Sequence, residues 1–169
     1  MIYVLFGPPG IGKTYIGNLL SKEKKWSFFD ADTIYSSDDA LRYLLKEGKY
    51  DQGARDRFVE KLMMTVQNLL GQSRGKDLVV AEAFTKEKNR KEFLKYFDNQ
   101  VTYIMVHASR NLALQRMKAR LLKEDHVVDK NVFDFVWDEF ETPKIPYKLL
   151  ENYNRSDKEI LKEFNGLIQ

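Results

Sequence analysis

Five short apolar segments alternate with segments of helical periodicity along this chain. We predict strands over residues 1–6, 26–32, 77–83, 101–106 and 147–152. Unbroken apolar runs are typical of strands that are buried on both faces of a parallel sheet. Strands interleaved with helices in this way join through right-handed crossovers. The pattern therefore predicts an α/β fold of three layers, with a five-stranded parallel sheet between two layers of helices.

The helical segments lie between these strands, where apolar residues recur every three or four positions. The first is predicted over residues 12–24, and residues 36–39 are expected to cap a short helix that ends near Gly48. A long helix follows to about residue 73. Thr85 and Ser109 are the predicted caps of the next two helices. Further helices are predicted over residues 129–141 and after Ser156.

A glycine-rich loop joins the first strand to the first helix. It reads Gly7-Pro8-Pro9-Gly10-Ile11-Gly12-Lys13-Thr14 and fits the phosphate-binding pattern G-x-x-x-x-G-K-[ST]. In such a loop the glycines let consecutive backbone N–H groups face inward around phosphate oxygens, and the helix that follows adds its positive end. We expect Lys13 to reach the β- and γ-phosphates and the Thr14 hydroxyl to bind Mg²⁺. The loop therefore predicts a site for a nucleoside triphosphate such as ATP.

Acidic side chains follow the second and third predicted strands. Asp30 and Asp32 end the second strand and Glu82 lies near the end of the third. Ligands of open α/β sheets bind beyond the carboxyl ends of the strands, so these acids should lie beside the phosphates. One aspartate could organise Mg²⁺ and the other could accept a proton; the alternative is a turn and helix cap. Glu82 could hold water on Mg²⁺ or pair with a lysine.

Four arginines are candidate ligands for anions. Arg55 and Arg57 lie in the first turns of the long helix, where the helix dipole disfavours cations. Positions that break a local rule are often functional, although solvated or acid-paired arginines fit equally well. Arg116 and Arg120 are four residues apart and share a helix face. The basic stretch that follows, with Lys123, His126 and Lys130, predicts a short basic lid over residues 120–132. His107 is expected to be structural.

Composition narrows the function classes. A chain of 169 residues suits one domain, predicted to span residues 1–169. The absence of cysteine excludes disulfides and thiolate catalysis. No apolar run approaches the roughly 20 residues of a membrane span, and the start does not resemble a leader, so a cytoplasmic location is expected. The net charge of +3 comes without a basic arm, which disfavours nucleic acid as partner. We expect a monomer or a homodimer.

With these residues in place, the chain resembles the small P-loop kinases of the gluconate kinase and shikimate kinase group. The resemblance covers most of the chain, from the glycine-rich loop to the prolines near residue 146. It implies the P-loop NTPase fold, an ATP–Mg²⁺ site and a small-molecule acceptor. It also implies that Asp30 helps to organise Mg²⁺, and that Asp32 contacts the acceptor hydroxyl and serves as base.

The resemblance extends to the arginines. The segment from Gly48 to Arg57 resembles the gluconate kinase stretch that ends in Asp-Arg, which implies Arg57 as a carboxylate ligand and Arg55 as a second one. Residues 116–120 resemble that family's Arg-x-x-Ala-Arg helix, which implies Arg116 against adenine and Arg120 on phosphate. The acceptor half departs from the family. Residues 33–36 replace its His-Pro and Asn, and residues 81–84 replace the glycine run of shikimate kinases.

The sequence thus predicts an ATP-dependent phosphotransferase that acts on a hydroxyl of a small molecule, with a sugar acid as one candidate. Catalysis would rest on Lys13, Asp32 and Arg120, and the acceptor would meet Asp32, Arg55, Arg57 and Glu82. One alternative is a 5′-hydroxyl polynucleotide kinase, which residues 79–90 also resemble. Another is a nucleotide-binding switch without catalysis.

Overall fold

A computed structural model of the chain describes residues 1–73, 75–121 and 129–169. Its described part contains a five-stranded sheet in which every neighbouring pair of strands is parallel, in the order β2-β3-β1-β4-β5. The strands are β1 (Ile2–Phe6), β2 (Ser27–Asp30), β3 (Leu78–Glu82), β4 (Val101–His107) and β5 (Lys148–Glu151). The predicted α/β fold with a five-stranded parallel sheet is confirmed.

The helices lie between the strands in the chain. They are α1 (Lys13–Lys24), α2 (Asp32–Ser37), α3 (Asp39–Lys46), α4 (Gln52–Gln72), α5 (Glu87–Phe97), α6 (Arg110–Leu121), α7 (Lys130–Glu139) and α8 (Asp157–Leu167), with a short 3₁₀ turn over Asp98–Gln100. Within the described ranges, no helix is long and apolar enough to cross a membrane.

The position of β1 in the middle of the sheet determines where the candidate site lies. Every residue of β1 and of β3 is buried, as the unbroken apolar runs predict. Phe6, the last residue of β1, pairs in register with Glu82 on one side and Met105 on the other. Asp30 at the end of β2 pairs with Ala81. The segments that leave β1, β2 and β3 therefore emerge together at the carboxyl edge of the sheet.

The structure corrects two local predictions and confirms a third, the cap of α3. The second strand ends at Asp30, and α2 begins at Asp32, because the Asp30 carboxylate accepts the Asp32 N–H and reverses the chain. Within residues 36–39, it is Asp38 that caps α3, by accepting the N–H of Leu41. Thr85 does not cap α5; its hydroxyl accepts a hydrogen bond from a distant arginine on α4.

Two further predictions concern the start of α6 and the segment around its end. Ser109 caps α6 as predicted, since its hydroxyl accepts the N–H of Leu112 at 3.3 Å. The predicted lid over residues 120–132 lies mostly outside the described residues, as does His126.

Arg90 on α5 is the largest fully buried side chain and ties the β3–α5 loop to the segment after α7. Its guanidinium donates to the carbonyls of Phe84 (2.7 Å), Thr85 (3.2 Å) and Glu141 (2.6 Å), and to the Glu87 carboxylate (2.8 Å). Phe84 has a φ of 47°, in the region that non-glycine residues rarely adopt. Arg90 therefore stabilises a strained loop directly beside Glu82.

We expect Arg90→Met to destabilise the fold by about 3–5 kcal/mol, because it leaves the carbonyls of Phe84 and Glu141 without this donor and the Glu87 carboxylate without its cationic partner. Urea denaturation measures the change. Arg42→Met is the matched control, because the Arg42 side chain is 43% exposed and pairs with the exposed Asp39; it should cost less than about 1 kcal/mol. Equal losses for the two variants would contradict the role assigned to Arg90.

Candidate active site

The glycine-rich loop has a shape that only glycine can adopt at its turns. Gly10 and Gly12 have φ values of 81° and 103°. A Cβ atom on Gly10 would lie 2.4 Å from the Ala113 carbonyl oxygen, and one on Gly12 would lie 2.3 Å from Nδ2 of Asn152. The backbone thus packs closely on two neighbouring segments while its N–H groups remain available for phosphate oxygens. This cradle fits the phosphates of a nucleotide.

Lys13 lies over this loop. Its ammonium donates to the carbonyls of Gly7 (2.7 Å) and Pro8 (2.9 Å). Burial lowers the pKa of Lys13, and the charges of Asp32, Glu82 and Asp30 oppose that shift. A buried cation beside a phosphate cradle is suited to binding the charged end of a nucleoside triphosphate.

Thr14 and Asp30 form a pair of oxygen ligands next to the cradle. The Thr14 hydroxyl donates to Asp30 at 2.7 Å, and the second oxygen of Asp30 accepts the N–H of Asp32. Mg²⁺ prefers such ligands and usually completes its shell with water and substrate phosphates. Among the described residues no group of three or more acidic or imidazole side chains could hold a metal by itself. The Thr14–Asp30 pair therefore fits a magnesium ion that a nucleotide brings with it.

Asp32, which is half-buried, and Glu82, which is buried, are two acids with different proton affinities. Burial raises the pKa of Asp32 to about 6, helped by the charge of Asp30 and opposed by Lys13 and Arg120. Burial raises the pKa of Glu82 to about 8, helped by the charge of Asp32 and opposed by the N–H of Phe84. At neutral pH Asp32 is therefore mainly ionised and Glu82 mainly protonated. One can accept a proton while the other donates a hydrogen bond.

These side chains line one cavity of ≈ 450 Å³. One end lies beside the glycine-rich loop, and the other is walled by α4 and α7. Lys13, Thr14, Asp30, Asp32 and Glu82 also line this cavity. A nucleotide at the loop and a second substrate at the far end would therefore share one cavity with Asp32.

Arg116 and Asn152 form the wall at the nucleotide end. Arg116 donates to the carbonyls of Ile11 (3.3 Å) and Asn152 (3.0 Å), and Asn152 donates its own amide to Ile11 at 2.7 Å. Arg120 also lines the cavity. Sequence patterns did not single out Asn152, because its buried contact joins segments that are far apart in the chain.

Of the two arginines predicted on α4, Arg55 lines the cavity and Arg57 does not. Arg55 is only 5% exposed and lines the cavity, where its guanidinium lies 5.1 Å from the Tyr50 ring and donates to Thr85 at 2.8 Å. Arg57 is exposed and does not line the cavity. Side chains two positions apart on a helix point in different directions, so α4 can present only one of them to the site.

Aromatic residues that the sequence did not single out complete the far end. Tyr35 stacks on Phe58 with ring centroids 4.6 Å apart, and its hydroxyl donates to Tyr50 at 2.9 Å. All three rings are buried and line the cavity. Tyr35 lies on α2, which was not predicted, so no pattern placed it near the site.

The raised pKa of Glu82 predicts a pH-dependent stability. Glu82 binds a proton more tightly in the folded chain, so stability present at low pH is lost as the pH rises from about 4.5 through about 8. We expect the unfolding free energy of the wild type to fall over this window relative to Glu82→Gln, by at most about 1.4 kcal/mol per pH unit. Urea melts at pH 5 and pH 8 test this. A constant difference between the two proteins would contradict it.

Comparisons with known proteins agree with this geometry. A family model described as an AAA domain matches residues 2–143. A probable gluconokinase of Xenopus tropicalis is 24% identical, over 98% of this chain and 92% of that protein. A gluconokinase structure from Sinorhizobium meliloti superposes with a TM-score of 0.74 at 17% identity, covering 99% of this chain and 90% of that one.

The fold also matches a shikimate kinase from Acinetobacter baumannii in complex with shikimate, with a TM-score of 0.64 at 16% identity over 99% of this chain and 92% of that one. The predicted resemblance to the gluconate kinase and shikimate kinase group is confirmed. Since the family model spans most of the sequence, the chain belongs to the AAA_33 family of AAA domains.

Proposed function

We propose that this protein is an ATP-dependent kinase that transfers the γ-phosphate to a hydroxyl group of a small molecule. The observation that carries the proposal is the position of Asp32, which lines one cavity together with the phosphate-binding loop and with residues of α4 and α7. A nucleotide-binding protein without transfer would need neither this carboxylate nor a cavity that extends from the loop to α4. The likeness to gluconokinase and shikimate kinase structures supports the same assignment.

The nucleotide would lie along the glycine-rich loop. Backbone N–H groups of Gly10 to Thr14, the ammonium of Lys13 and the dipole of α1 would hold its phosphates. The adenine would lie against Arg116, which hydrogen bonds already fix to the loop and to Asn152. Arg120 lines the cavity close enough for its charge to act on Lys13 and Asp32. It is our candidate for stabilising the transferring phosphoryl group.

Thr14 and Asp30 would hold Mg²⁺. When bound, the ion neutralises charge on the phosphate oxygens. Binding of the ion requires no rearrangement of the backbone, because the Thr14 hydroxyl oxygen and a carboxylate oxygen of Asp30 already lie 2.7 Å apart beside the cradle.

In the reaction the acceptor hydroxyl oxygen forms a bond to the γ-phosphorus while the bond to the β–γ bridging oxygen breaks. The hydroxyl proton passes to the Asp32 carboxylate, and ADP leaves with the electron pair. Protonated Glu82 would donate a hydrogen bond to the acceptor, and the Arg55 guanidinium would bind an anionic group at the far end. Removal from water raises the pKa of Asp32 to about 6. At neutral pH its carboxylate is therefore a stronger base than that of an exposed aspartate.

A sugar acid is the leading candidate acceptor. The relative from Xenopus tropicalis is a probable gluconokinase and aligns over nearly all of this chain. An arginine at the far end of the cavity suits a carboxylate, which a guanidinium can bind through two parallel hydrogen bonds. We further propose that residues 1–169 act as one kinase domain, as a monomer or a homodimer.

A coupled assay of ADP release tests the proposal. Sugar acids, neutral sugars, nucleosides and a 5′-hydroxyl oligonucleotide are each added with ATP and Mg²⁺. We expect an acceptor-dependent rate with at least one small molecule and none with the oligonucleotide. An ATPase rate that no acceptor changes would overturn the assignment, and transfer to the oligonucleotide would favour the polynucleotide kinase alternative.

Asp32→Asn should lower the transfer rate by about 10²-fold or more while ATP affinity changes little, because the variant keeps the shape and loses the base. The wild-type rate should rise with pH through about 6 as Asp32 ionises. Single-turnover rates and nucleotide titrations measure both effects. Asp39→Asn, on the exposed start of α3, is the control. Near-normal turnover in Asp32→Asn would contradict its role.

A further inference from the structure

The Arg55 guanidinium is a buried cation with a weak counter-ion. Its ionic contact is with the Glu139 carboxylate on α7, at 3.4 Å, which is long for such a pair. Its shorter contact, at 2.8 Å, is to the neutral hydroxyl of Thr85. Since burying a charge is costly unless it is well paired, Arg55 is poised for a better anion.

Glu139 has a second and closer partner. Its same oxygen lies 2.8 Å from the ammonium of Lys86, at the start of α5. The Glu139 side chain is 40% exposed, whereas that of Arg55 is 6% exposed. Glu139 can therefore leave Arg55 without losing an ionic partner and without being buried.

The contact lies where an acceptor would bind. Arg55 and Thr85 line the far end of the cavity, and so does Val136, one turn before Glu139 on α7. The same helix contacts the nucleotide loop, because the indole of Trp137 donates to the Pro9 carbonyl at 3.1 Å. Helix α7 thus joins the two ends of the cavity.

We propose that Glu139 is an internal competitor for the anionic group of the acceptor. Its carboxylate takes one donor position on the Arg55 guanidinium, and an acidic acceptor binds by displacing it from Arg55 while its contact with Lys86 remains. Glu139 thereby sets the affinity for acidic acceptors and discriminates against weakly bound anions. This inference rests on the proposed function, since it concerns the acceptor end of that cavity.

The test measures anion binding at Arg55 without requiring turnover. The Nε–Hε resonance of Arg55, assigned through its loss in Arg55→Lys, is followed by NMR in the whole chain with excess ADP and Mg²⁺. The probes are D-gluconate and inorganic sulfate, with sorbitol as the uncharged counterpart of gluconate. Because the two anions differ in shape, a change in affinity that both show cannot come from how one of them fits the cavity.

We expect Glu139→Gln to bind both anions about threefold more tightly than the wild type, as expected for removal of a competing, partly exposed ion pair. Sorbitol should leave the resonance unchanged. Asp138→Asn is the matched control, because Asp138 lies next to Glu139 on α7 but pairs with Arg110, outside the cavity. It should bind both anions like the wild type.

Equal or weaker anion binding by Glu139→Gln would overturn the proposal, because it would make Glu139 a mere support for Arg55. Equal tightening in Asp138→Asn would also overturn it, since general charge removal would then suffice. So would the absence of a saturable shift with either anion in all variants. If no acceptor in the screen is phosphorylated but the anions bind as predicted, the kinase assignment is rejected. The role of Glu139 as a competitor for Arg55 would then still stand.

Discussion

This site depends on the attraction between opposite charges that lie close together, and partly out of water, at the carboxyl edge of the sheet. Burial alone disfavours the charged forms of Lys13, Asp32 and Glu82, and each opposite charge partly offsets that penalty. The strand order makes this compensation unavoidable. Because β1 lies between β3 and β4, with β2 beyond β3, the chain segments that follow the first three strands meet in one small volume.

Different neighbouring charges give the Asp32 and Glu82 carboxyls different proton affinities. Asp30 is engaged by the Thr14 hydroxyl and by a backbone N–H. Asp32 is moderately shifted, since Lys13 and Arg120 oppose the effect of burial, whereas Glu82 is shifted further by the charge of Asp32. Groups with separated pKa values can serve as base and hydrogen-bond donor in one reaction. The proton on Glu82 therefore affects both the proposed reaction and the stability of the fold, because the raised pKa of Glu82 also makes that stability depend on pH.

Local sequence patterns predict the features that depend on local structure. The strands, the glycine-rich loop and the acids at strand ends follow from runs and motifs a few residues long. The contacts of Arg55, Arg90 and Asn152 could not be predicted, because each side chain has a partner thirty or more positions away. Arg55 and Arg57 illustrate this limit. A motif identifies two arginines on α4, but only the packed helix determines which one faces the cavity.

Direct transfer between substrates that share one cavity is the central claim of this account. The stereochemical course at phosphorus tests it most directly. ATP made chiral at the γ-phosphate with oxygen isotopes is turned over with an acceptor found in the screen, and the configuration of the product phosphate is determined. A single in-line displacement predicts inversion. Retention would require a phosphorylated side chain as intermediate and would contradict direct transfer past Asp32.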